Sequence, residues 1–265
     1  VFGFTAATVT VFLSGIIGSE ITSIKFLSTL PTAIYVVGTA IFTILAARIM
    51  SKIGRRLGFI FAAFGSSAAS LLGAFAISQQ NFILFCVSCL ILGMGAAFNH
   101  QYRFAAAESV EKEKAPKAIS ILMLAGIFAA FLGISSANYT KNLIPDHLYM
   151  GSYLLLAVFT FMPAIFLFFY KNNETTKIEF NNKYSGRGLF EIISQPRFLQ
   201  AVVASAFAYA VMSYLMTATP MSMHLMEKMS LEKTGLVLQF HVAAMFLPSL
   251  ITGNLIKKFG HSNVI

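Results

Sequence analysis

The groups in this 265-residue chain that could carry chemistry are a few histidines, one arginine, a handful of hydroxyls and a pair of cysteines, nearly all inside apolar runs. His100, Gln101 and Arg103 fall in the run 82–107, Tyr209, Ser213 and Thr217 in 197–225, and His241 in 234–257. Cys86 and Cys89 have C-x-x-C spacing, which elsewhere suits redox or metal chemistry. With no second ligand pair in the chain, they read as two buried apolar thiols, and no metal is expected. Glu20 and Glu108 fall at opposite ends of their runs, so no pair of acids shares a site in the way general acid–base catalysis requires. The phosphate-binding pattern G-x-x-x-x-G-K-[ST] is absent, so no ATP motor and no cofactor are expected.

The elements that position these groups follow from composition. Hydrophobic residues make up 57% of the chain and charged ones 11%. A soluble domain of this size carries about 25% charged residues to solvate its surface. Lipid is the solvent that fits. A bilayer core about 30 Å thick takes about 20 apolar helical residues to cross. Eight stretches reach that length, near 1–20, 27–50, 57–78, 82–107, 117–139, 148–170, 197–225 and 234–257. Period-2 alternation is absent, which argues against a membrane β-barrel. The expected fold is all-α and polytopic. Pro31, Pro116 and Pro196 sit where helices begin, whereas Pro163, Pro220 and Pro248 fall within spans and predict kinks.

The net charge of +9 is a topology signal and not a nucleic-acid footprint, because the basic residues cluster between apolar runs. Fifteen of the 19 Lys and Arg fall in loops on one side and four (Lys25, Lys141, Lys228 and Lys233) on the other. The positive-inside rule then puts the N-terminus in the cytoplasm. The polar stretch 171–195 separates six spans (1–170) from two more (196–265). A cytoplasmic linker between two sets of helices is the layout of a two-halved transporter.

An internal repeat supports that layout. After the second span the chain reads Ala47-Arg-Ile-Met-Ser51-Lys52-Ile-Gly54-Arg55-Arg56, and after the eighth Gly253-Asn-Leu-Ile-Lys257-Lys258-Phe-Gly260-His261, with equal spacing. Here the chain resembles the major facilitator superfamily, whose signature G-x-x-x-D-R-x-G-R-R lies between helices two and three, with a weaker copy between eight and nine. Lys52, Gly54, Arg55 and Arg56 match it, while Ala47 stands for the first Gly and Ser51 for the Asp. The stretches Gln101–Glu108, Met216–Pro220 and Gln239–His241 are similar to bacterial members.

The resemblance implies a twelve-helix, two-bundle protein of which this chain is a fragment covering about helices one to eight. It also implies a bacterial inner-membrane symporter or antiporter moving a small solute by alternating access. A proton is one candidate coupling ion. A membrane-embedded enzyme, or a non-transporting sensor on the same fold, is the alternative. Proton-antiporting members carry Gly-Pro in the fifth helix and Arg in the fourth, where this chain has Gly133-Ile134 and Cys89.

Within this frame each polar group keeps two readings. His100 and Arg103 share a stripe with Gly93 and Ala96, facing a water-filled cavity or, for Arg103, snorkelling to the cytoplasm. Tyr209, Ser213 and Thr217 line a path or bond neighbouring helices. His241 carries a proton or a structural hydrogen bond; Gln239 points roughly 200° away from it. Gly54 makes a tight turn, and Arg55 and Arg56 reach acids or helix C-termini, Glu108 being one candidate. That contact would latch the cytoplasmic gate.

Overall fold

A computed structural model of the chain describes residues 1–111, 114–169 and 189–259. Eleven α-helices occur among them: α1 (Phe2–Ile21), α2 (Leu30–Ile53), α3 (Arg55–Ser78), α4 (Phe82–Asn99), α5 (Tyr102–Glu108), α6 (Ala115–Thr140), α7 (Met150–Phe168), α8 (Leu189–Ile193), α9 (Pro196–Pro220), α10 (Leu231–Phe246) and α11 (Ser249–Phe259). They make eight spans long and apolar enough to cross a membrane. Four are composite, the second span opening with a 3-10 turn (Lys25–Leu27) ahead of α2. α4 and α5 form one span broken at His100–Gln101; α9 continues through a π-helical segment, Met221–Met226; α10 and α11 are separated by a break containing Pro248.

Local chemistry sets these limits. Pro31, Pro116 and Pro196 occupy the first turns of α2, α6 and α9, where a missing N–H has no helical partner to lose. Asn81 and Ser230 cap α4 and α10 by accepting from Leu84 N–H (3.0 Å) and Lys233 N–H (3.3 Å). Pro220 ends α9, Pro248 interrupts the eighth span, and Pro163 lies inside α7. The linker 171–195 is not polar coil throughout: α8 occupies Leu189–Ile193, while 171–188 lie outside the described residues.

α1 is the hub. It packs on α2, α4, α6, α7 and α9, and its Phe12, Leu13 and Ile16 are fully buried. Around it, α2 crosses α4, α3 lies between α4 and α7, and α10 joins the bundle through α6. The crossings are tight where residues are small. A side chain at Gly93 would run into the carbonyl of Tyr35, so α4 and α2 touch backbone to backbone there. On α6, Gly126 faces the ring of Phe246 and Gly133 faces Thr8 and Val9, so the small-residue stripe of that helix is a packing surface on both sides.

Close approach of this kind gives an unequal response to alanine. Gly93→Ala should force α2 and α4 apart and cost about 1–3 kcal/mol. Gly65, whose added Cβ meets nothing within 4 Å, should tolerate Ala or gain up to about 1 kcal/mol from helix propensity. Thermal unfolding of the full-length protein in detergent checks both; equal midpoints would show that the crossing is not tight.

Candidate functional site

The predicted residues fall into two groups, one gathered at the basic end of the bundle and one not gathered at a single place. The first is the basic end, where α2 turns into α3. Gly54 is the turn, with φ 85° and ψ 157°, a region closed to side chains. Its N–H ends α2 on the carbonyl of Met50 (2.9 Å). Leaving that turn, Arg55 grips Glu108 at the end of α5 with two bonds, Nε to Oε2 at 2.7 Å and Nη2 to Oε1 at 2.5 Å. Arg56 turns the other way and donates from Nε to the carbonyl of Leu167 (2.9 Å) and from Nη2 to that of Phe168. A guanidinium on the last carbonyls of a helix satisfies their lone pairs and opposes the negative end of the dipole.

Ser51, standing where the resemblance calls for Asp, donates to the carbonyl of Arg48 in its own helix (2.8 Å) and reaches no other element. Lys52 is exposed. The described partners of Arg55 and Arg56 lie on α5 and α7, so these contacts brace the start of α3 to both helices. In the second copy of the loop, Lys258 is exposed with its ammonium 5.3 Å from the ring of Phe259. Gly253 and Lys257 lie on α11 with side chains outside the described residues, and Gly260 is wholly outside them.

The second group is spread through the spans. His100 and Arg103 do not continue one helical stripe, because the helix breaks between them. Gln101 N–H falls back to Phe98 O (2.9 Å), and α5 starts anew at Tyr102. The break lets Arg103 fold back on His100, with Nη2 3.2 Å from Nδ1 and Nε 3.2 Å from the carbonyl. Arg103 is exposed, His100 half-buried and Gln101 buried.

On α9, Tyr209 is 48% exposed. Ser213 and Thr217 are half-buried, and the Thr217 hydroxyl donates to the carbonyl of Ser213 (2.8 Å). On α10, Gln239 and His241 diverge as their spacing requires. Gln239 is buried and donates to the carbonyl of Phe131 (3.3 Å) and to Ser135 Oγ (2.9 Å) on α6, while His241 is half-buried. Cys86 and Cys89 are both buried and unbonded. No group of three or more metal-ligating side chains occurs among the described residues.

The family model of the Major Facilitator Superfamily matches residues 1–265, over the eight spans just described. The chain belongs to that superfamily. It is a multi-pass membrane protein, 34% identical over 262 residues to the riboflavin transporter RfnT of Brucella anthropi, covering 99% of this chain and 66% of that protein. It is 27% identical over 278 residues to the uncharacterized MFS-type transporter YdeG of Bacillus subtilis (99% of this chain, 64% of that one). The figure is 25% over 280 residues for YddS of the same organism (100% and 63%). The chain therefore spans slightly less than two thirds of the length of these relatives. No solved structure matches it.

The brace at the basic end predicts a measurable coupling. A double-mutant cycle of Arg55→Gln and Glu108→Gln should return about 0.5–1 kcal/mol, since the pair is bidentate but partly exposed. High salt should reduce it. Arg55→Lys should keep the charge and lose most of the coupling, because an ammonium cannot make the paired bonds. A coupling of zero from denaturation of the full-length protein would mean the contact is idle.

Proposed function

We propose that this chain is the larger part of a secondary transporter that moves a small organic solute by alternating access, and that the solute is riboflavin or a close flavin. The observation that carries the cargo is the 34% identity to a riboflavin transporter along 99% of the chain. The chemistry of the spans is compatible with it. Riboflavin is neutral near pH 7 and joins a flat aromatic ring system to a polyhydroxylated tail. Such a cargo calls for an aromatic face and hydroxyl partners, not a counter-ion. Tyr209 offers the first, and Ser213 and Thr217 on the same helix the second. The described acids Glu20 and Glu108 lie at span ends, which suits an uncharged solute.

Alternating access needs two bodies and a seam between them. The first body is α1–α7, braced at its basic end by Arg55 and Arg56. The second begins with α9 and α10. The seam runs where α9 lies on α1 and where α10 lies on α6, with Gln239 bridging the latter pair. In this reading the Arg55–Glu108 contact keeps the first body rigid while it rocks. The excess of basic residues on one side supports a bacterial inner membrane with the N-terminus in the cytoplasm. Coupling to protons would run through an imidazole within the spans, His100 and His241 being the candidates; both are half-buried.

Uptake of labelled riboflavin by cells expressing the full-length gene tests the cargo. The expected result is saturable uptake, competed by unlabelled riboflavin. Tyr209→Phe should preserve it, and Tyr209→Ala should raise the half-saturating concentration about two- to tenfold through loss of ring stacking. Uptake that persists with the proton gradient collapsed excludes proton coupling. Absence of saturable riboflavin movement in either direction sinks the cargo assignment.

A further inference from the structure

A cleft between α2, α3 and α4 plays no part in the transport reading. It measures about 250 Å³ and is walled by Phe42 and Ile49 of α2, Phe61 and Gly65 of α3, and Met94 and Phe98 of α4. These positions place it in the half of the bundle next to the basic end. Phe61 is 64% exposed, so the cleft opens on the outer face of the bundle.

Gly65 keeps it open. Its backbone is ordinary helix, since Gly54 alone among the described glycines has positive φ. An added Cβ at Gly65 would meet nothing within 4 Å, so no neighbouring helix requires the missing side chain. Glycine within a helix is less stable than alanine by about 1 kcal/mol. What the glycine preserves at that cost is empty apolar space. The contrast is Gly95, also in the cleft wall, where a Cβ would run into the hydroxyl of Ser66.

The rim is charged. Lys52 follows Ile49 at i+3 on α2 and stands about one turn beyond the apolar wall; Arg48, its i,i+4 neighbour, starts level with Ile49. Both are exposed. The ion pairs among the described residues use Arg55 with Glu108 and Lys114 with Glu111, leaving Arg48 and Lys52 with no described counter-ion.

We propose that this cleft is a phospholipid site, in which one acyl chain lies between α2, α3 and α4 and an anionic headgroup sits on Lys52 and Arg48. An apolar slot in a span exposed to the bilayer meets acyl chains before anything else. Two cations with no counter-ion among the described residues flank its mouth and select a lipid with net negative charge. Basic pockets between spans on the positive side bind anionic lipids for this reason.

The test compares phosphatidylglycerol with phosphatidylcholine of identical acyl chains, retained by the full-length protein and counted by native mass spectrometry. The wild type should retain phosphatidylglycerol preferentially, and Lys52→Gln and Arg48→Gln should each weaken that preference about fivefold. Gly65→Leu should fill the slot and lower retention of both lipids while the thermal midpoint shows the fold intact. Equal retention of the two lipids by the wild type overturns the proposal, as does unchanged phosphatidylglycerol retention in Gly65→Leu. If Gly65→Leu fails to fold, a photoactivatable phosphatidylglycerol decides on the wild type: adducts on the walls of α2, α3 and α4 support the site, and their absence there overturns it. Cross-linking of a cysteine at 65 to another helix of the full chain, or to a second copy, overturns it as well.

Discussion

With lipid outside, burying one apolar helix against another gains little, because the tails left behind are as apolar as the partner. What holds this bundle is close contact and hydrogen bonds across helices. Six of these bonds follow one pattern. Thr8 donates to the carbonyl of Ala129, Thr39 to Gly93, Ser67 to Ala157, Ser88 to Ala69, Ser152 to Ala137 and Asn99 to Gly3. In each case a short polar side chain reaches a carbonyl that belongs to Gly or Ala. A small residue lets the partner helix approach and leaves its own carbonyl uncovered, so the same position supplies both the contact and the acceptor. The hub position of α1 follows: Thr8 and Gly3 tie it to α6 and α4 through such bonds, and Ser14 reaches Thr32 of α2 at 2.7 Å.

The places that depart from this regularity are those where spans are composite. In the fourth span Tyr102 stacks on Phe59 of α3 at 4.2 Å between ring centres, which fixes α5 against the start of α3. Glu108, six residues on, stands beside Arg55. In the π-helical segment after Pro220, Met221 Sδ lies 3.0 Å from where a Cβ on Gly15 would stand, so α1 and the seventh span touch through a glycine.

Much of this was legible in the residues. Apolar length located the eight spans, prolines marked three helix starts, and the Gly-Arg-Arg run marked a turn with two cations to place. Glu108 was a foreseeable partner because an acid at a span end has few alternatives. The partner of Arg56 was not foreseeable, since it is a pair of main-chain carbonyls and carries no side-chain signal. The stripe through His100 and Arg103 is interrupted by a turn at His100–Gln101. Helical periodicity assumes an unbroken helix, and nothing in Asn99-His-Gln-Tyr102 is a strong breaker. Gln239 shows the opposite case: angular spacing correctly separated it from His241, but only packing reveals that Gln239 is the residue spent on holding α10 to α6.

Charge counting treats every basic residue near a span end alike, and the structure shows that they are not alike. Four cations crowd the turn between α2 and α3. Arg55 and Arg56 are committed inward, to a carboxylate and to helix carbonyls, and no longer present a free charge to the bilayer. Arg48 and Lys52, one turn earlier on α2, face outward with their charge intact. The division follows from the chain's direction at Gly54: side chains before it project from the rim of α2, and those after it project under the bundle toward α5 and α7. One glycine with positive φ therefore decides which cations hold the protein together and which meet the membrane. With Ser51 where the family signature has an acid, no carboxylate stands at i+3 from Arg48 on the same helix face.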